Sequence, residues 1–91
     1  MYFITAIQDG KNRHNKRCFG YYKDLRTAKS NVLNNVGSMN ECLYSYIIIE
    51  KINEGVHAIP SWDTWFWWRN NKWEEINPPQ WSNGLINWSI G

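Results

Sequence analysis

Five tryptophans fall between residues 62 and 73, and three of them stand in the run Trp65-Phe66-Trp67-Trp68. In an extended chain successive side chains point to opposite faces. Trp62, Phe66 and Trp68 then share one face, and Trp65 and Trp67 share the other with Arg69. Both faces of this strand are therefore aromatic, which constrains any fold the chain can adopt. Each ring can bury on the order of 200 Å², and seven tryptophans in 91 residues exceed what one small core takes up. Either a helix covers one face and the C-terminal tail, with Trp81 and Trp88, covers the other, or one aromatic face stays open to a partner.

The same segment predicts a hairpin. Trp65–Arg69 and Lys72–Ile76 flank Asn70-Asn71, and asparagine tolerates the positive φ that two-residue hairpin turns require. This register sets Arg69 opposite Lys72 and Trp68 opposite Trp73. The aromatic pair contributes up to ~1 kcal/mol, and water screens the like charges at the tip. Pro78-Pro79 stops the second strand, leaving 80–91 as a loop or a docked extended segment.

Upstream, Tyr2–Gln8 is β-branched and aromatic and reads as a first strand. Asp9-Gly10 opens a turn into a basic, Asn-rich loop reaching Arg17, and Cys18–Tyr22 reads as a short second strand bulged at Gly20. Asp24 is the expected N-cap of a helix from Leu25 to about Val36. Its apolar stripe is Leu25, Ala28, Val32 and Val36, and Gly37 is placed to end it in a left-handed conformation. Ser38 and Glu41 form a capping-box pattern that predicts one further helical turn. Tyr44–Ile52 is apolar on both parities at its centre, as a middle strand covered on two sides would be. Asn53-Glu54-Gly55 is a turn, Val56–Ile59 continues extended, and Pro60 ends that segment. The expected fold is α+β: an antiparallel sheet of four to five strands with one main helix packed on one face, in a single domain spanning residues 1–91.

Composition narrows the function classes. A net charge of +2 is too mild to capture nucleic acid over a whole face, and it also argues against an acidic mimic of DNA. Met1 leads directly into Tyr2-Phe3-Ile4-Thr5 with no basic stretch or cleavage site. The longest apolar run, Tyr46-Ile47-Ile48-Ile49, is far too short to span a bilayer. A cytoplasmic protein with reduced thiols and no membrane partner is expected.

Catalytic constellations fail on spacing. His14 and Cys18 are close enough for a thiolate–imidazole pair, but His14 lies in the basic loop with nothing to orient it. His14, Cys18, Cys42 and His57 match no zinc pattern of closely spaced ligand pairs. Glu74 and Glu75 point to opposite faces of a strand and cannot work as a paired acid and base. The expectation is a protein that is not an enzyme and carries no metal or cofactor.

Two binding signals remain. Lys11, Arg13, Lys16 and Arg17 form a basic stretch able to hold phosphates, so that a nucleotide or single-stranded nucleic acid with bases stacked on nearby rings is one reading. The other is protein contact through Trp65, Trp67, Trp68 and Arg69, with Lys72 at the hairpin tip, because Trp and Arg dominate interface energetics. A symmetric homodimer using the same aromatic face is compatible with the second reading.

Tyr2-Phe3-Ile4, Phe19-Gly20-Tyr21-Tyr22, Ala28, Asn35, Ile49-Glu50-Lys51-Ile52, Gly55, Trp65-Phe66-Trp67 and Asn87-Trp88-Ser89-Ile90-Gly91 together give the chain a resemblance. It resembles a group of small uncharacterised proteins from Firmicutes and their phages and mobile elements, over nearly its full length. The resemblance implies a genomic setting in which small domains act by binding. The expected role is an inhibitor of a bacterial defence system that docks on a host defence protein, the alternative being a module that sequesters a nucleotide signal or binds single-stranded nucleic acid.

Overall fold

The computed structural model describes residues 1–54, 60–82 and 88–89. Among these residues five strands form one antiparallel sheet in the order β2-β1-β3-β4-β5, with one α-helix, α1, after β2. The strands are β1 (Tyr2–Ile7), β2 (Lys16–Tyr22), β3 (Tyr46–Ile52), β4 (Pro60–Arg69) and β5 (Lys72–Ile76), and the helix is α1 (Leu25–Leu33). The strand expected to be covered on two sides, β3, is the central one.

Registers assign every strand residue to a face. Ile4 pairs with Ile49, which pairs with Thr64, and Ala6 pairs with Ile47, which pairs with Phe66. On this face α1 packs through Ala28 and Val32, closing a core with Met39, Phe66 and Trp73. Burying each such aliphatic or aromatic side chain stabilises the fold by about 1.5–3 kcal/mol. Asp24 caps α1 as expected, accepting a hydrogen bond from the Thr27 amide at 3.0 Å.

The helix ends a turn earlier than its apolar stripe predicts. Asn34 is the C-cap, Asn35 takes a left-handed φ of 50°, and Val36 lies exposed beyond it. A tertiary contact accounts for this: the Trp73 indole donates to the Asn35 side-chain oxygen at 3.0 Å, tying the helix end to β5. Gly37 is also left-handed, at 83°, but lies past the end of the helix. The turn after it is 3-10 (Met39–Cys42), with Ser38 left-handed and making no side-chain cap, so the capping box is not used.

Other boundaries also move. β2 begins at Lys16, because edge-strand residues need only backbone pairing to Ala6 and Ile7, and the bulge falls at Phe19-Gly20. Pro60 opens β4 instead of closing the preceding segment, a position where its missing N–H costs little. The extended segment expected at Val56–Ile59 lies outside the described residues. The Asn70-Asn71 turn has φ values of 54° and 60°, and Arg69–Lys72 and Trp68–Trp73 pair as the hairpin register requires. The Trp68 and Trp73 rings meet edge-on at 5.2 Å. Among the described residues no helix is long and apolar enough to cross a membrane.

Candidate functional site

The face opposite the helix carries Thr5, Ile7, Tyr46, Ile48, Glu50, Asp63, Trp65 and Trp67, as alternation and register dictate. Its centre is closed by the C-terminal tail. Trp65, Trp81 and Trp88 stand mutually perpendicular, with centroids 5.6 to 5.8 Å apart. This edge-to-face arrangement suits ring quadrupoles and adds to the area buried. Trp81 also meets Tyr46 edge-on at 5.1 Å and lies against Gly10, where a Cβ would come within 2.6 Å of the indole.

A buried carboxylate holds the tail down. Glu50 is 1% exposed and accepts hydrogen bonds from the Trp88 amide (3.0 Å), the Ser89 amide (3.0 Å) and the Ser89 hydroxyl (2.7 Å). Because that hydroxyl donates to Glu50, the Thr5 hydroxyl 2.8 Å away donates to it in turn. Burial raises the pKa of Glu50 above the ordinary carboxylate value. The three hydrogen bonds oppose that shift, and the carboxylate of Asp63, its cross-strand partner on β4, adds to it. Desolvation raises Asp63 as well.

Beyond the tail the face opens. Trp67 is 37% exposed, against 1% for Trp65 two residues earlier. Its ring lies nearly parallel to that of Tyr46, at 10° and 6.3 Å, and the Arg69 guanidinium sits 5.6 Å from its centroid. Arg69 approaches Glu74 at 3.8 Å with both side chains well exposed, so the pair is too solvated to contribute much stability. Lys72 stands directly across from Arg69 on the same face. Tyr46, Trp67, Arg69, Lys72 and Glu74 thus form one amphipathic patch at the hairpin end of the sheet.

Of the five residues expected to contact a partner, the structure brings Trp67, Arg69 and Lys72 together at this surface. Trp65 lies beneath the tail. Trp68 points to the helix face, half-buried against Trp73. Tyr46 and Glu74 were not singled out from sequence; the register that sets them against Trp67 is the only signal that could have found them.

The four basic residues separate. Lys11 and Arg13 lie in the exposed turn before β2, where Arg13 donates to the Gly10 carbonyl at 3.3 Å. Lys16 pairs with Ile7 and reaches over Trp88, 5.4 Å from its centroid, on the tail face. Arg17 pairs with Ala6 and lies 5.1 Å from Phe19 on the helix face. No single face holds all four.

In comparisons with known proteins, no family model, no curated protein and no solved structure matches the chain. The chemistry of the site therefore rests on its own residues. His14 is exposed in the turn before β2, Cys18 is exposed on β2 itself, and His57 lies outside the described residues. Among the described residues no three His, Cys, Asp or Glu side chains converge as a metal set would require. A shallow depression of about 560 Å³ runs along the outer side of α1, lined by Leu25, Arg26, Lys29, Ser30, Leu33 and Asn34. Its polar groups include Lys29, already paired with Glu75 at 3.2 Å.

Proposed function

We propose that this protein is a non-enzymatic binding module that engages another protein through the Trp67–Arg69 patch. The observation behind this reading is the contrast within one strand face: the tail covers Trp65 but leaves Trp67 presenting an indole between Tyr46 and Arg69. An exposed tryptophan flanked by a guanidinium has the composition of an interface hot spot. The resemblance to small proteins of phages and mobile elements supports an inhibitor that docks on a bacterial defence protein.

The test is capture from a bacterial lysate with the full chain, comparing wild type, Trp67→Ala, Arg69→Ala and Trp62→Ala. The proposal expects a partner held by wild type and by Trp62→Ala, whose ring lies on the helix face, and lost from the other two. A partner retained by both Trp67→Ala and Arg69→Ala would place the contact elsewhere.

A further inference from the structure

At the far end of the sheet from Trp67, and on its other face, one transverse row joins four strands. Tyr22, Tyr2, Lys51 and Trp62 stand side by side in it, on β2, β1, β3 and β4. Tyr2 and Tyr22 pack partly against the core under α1, whereas Trp62 is 38% exposed. The Trp62 and Tyr2 rings are nearly perpendicular, at 80° with centroids 6.1 Å apart. They are not stacked, so this contact covers at most one face of the indole.

The cation in the row is not neutralised. The Lys51 ammonium lies 5.9 Å from the Tyr2 centroid, within cation–π range. Among the described residues no carboxylate lies within ion-pair distance of it. Glu50 and Asp63, which adjoin Lys51 and Trp62 in sequence, project to the opposite face. Asp24, at the β2 end of the row, is engaged in capping α1. Lys23 directly follows Tyr22 and is exposed, adding a second positive charge at that end.

An open indole beside an unpaired ammonium matches the chemistry of a base and its phosphate. A base of any identity stacks on an aromatic face, and a cation holds the backbone. We propose that this row binds single-stranded nucleic acid, with a base stacked on Trp62 and an adjoining phosphate on Lys51. Three strand spacings, about 14 Å, separate Trp62 from Tyr22, so a strand crossing the row meets Lys51 and then Lys23. The mild net charge is no obstacle, because so local a contact involves few phosphates. One base and one phosphate hold a free nucleotide weakly, whereas a strand repeats both groups at every step. The row shares no residue with the Trp67 patch, and the two proposals stand or fall separately.

Fluorescence anisotropy of a labelled oligothymidine, titrated with the full chain at about 50 mM salt, tests this. Wild type should bind, and log affinity should fall with log salt by about 0.7 per phosphate contacted. Trp62→Leu keeps an apolar side chain but removes the stacking face, and should weaken binding about 5- to 100-fold. Lys51→Gln should weaken binding and take about 0.7 off the salt slope, and Lys51→Arg should restore both. The duplex of the same sequence and free thymidine monophosphate should each bind more weakly than the strand. No binding to the strand, binding that Trp62→Leu leaves intact, or a slope that Lys51→Gln leaves unchanged overturns the proposal. So does a duplex or a free nucleotide that binds as tightly as the strand. Circular dichroism of each variant confirms that it is folded.

Discussion

Trp65 and Trp67 are two residues apart on the same face of β4 and have opposite roles. Trp65→Ala removes a fully buried ring on which Trp81 and Trp88 both rest, and is expected to lower unfolding free energy by about 3–5 kcal/mol. Trp67→Ala removes a half-open ring and should change it by no more than about 1 kcal/mol. Urea titration of the two variants checks the contrast, and similar losses would mean that Trp67 is part of the core. Glu50 makes a prediction about pH. Its folded-state pKa is raised, so the folded state holds a proton that the unfolded chain has released. The stability tied to this group is fully present below its unfolded value and declines as pH rises from about 4.5 through the raised folded value. Asp63 acts in the same direction, whereas Asp9 and Asp24, whose pKa values are lowered by local hydrogen bonds, lose their contribution as pH falls below the usual carboxylate range. Glu50→Gln, which does not titrate, should therefore show a shallower decline in stability than wild type between about pH 4.5 and neutrality. Parallel curves for the two proteins would show that Glu50 does not titrate in that window.

At the scale of elements, the β4–β5 hairpin depends on two asparagines with positive φ. Asn71→Gly should hold or raise the melting temperature, and Asn71→Ala should cost about 1 kcal/mol, since a Cβ is disfavoured in left-handed backbone; equal melting temperatures would contradict the turn. This hairpin was legible in the sequence because its determinants are local: strand alternation, a two-residue loop and a proline stop. The helix start was legible for the same reason, through Asp24. The helix end was not. Leu33, Asn34, Asn35 and Val36 all permit another turn, and what stops the helix is a hydrogen bond from Trp73, 38 residues away. The start of β2 was hidden because Lys16 and Arg17 have side chains typical of a solvated loop, while an edge strand asks only for their backbones. In the candidate site, parity placed Trp67 with Arg69 but could not separate Trp67 from Trp65. That separation comes from the tail, which is anchored on Glu50, a carboxylate whose burial no local sequence pattern signals.

The whole molecule has a helix on one face of the sheet and, on the other, the tail residues Trp81, Trp88 and Ser89. Ending the chain at Asn77 would uncover Ile7, Ile48 and Trp65 together, a contiguous apolar area of the kind that soluble monomers avoid. Such a chain is expected to self-associate and to bind a hydrophobic dye; a dispersed monomer that leaves the dye dark would contradict the role given to the tail. The claim on which the account turns is that the tail stops short, closing over Trp65 and leaving Trp67 open. Incorporation of 5-fluorotryptophan, with resonances assigned by single Trp→Phe variants, allows each ring's response to a soluble paramagnetic quencher to be read by fluorine NMR. The resonances of Trp67 and Trp62, each more than a third exposed, should broaden first, while Trp65, Trp73 and Trp88 stay sharp. A Trp67 resonance as protected as that of Trp65 would contradict the account.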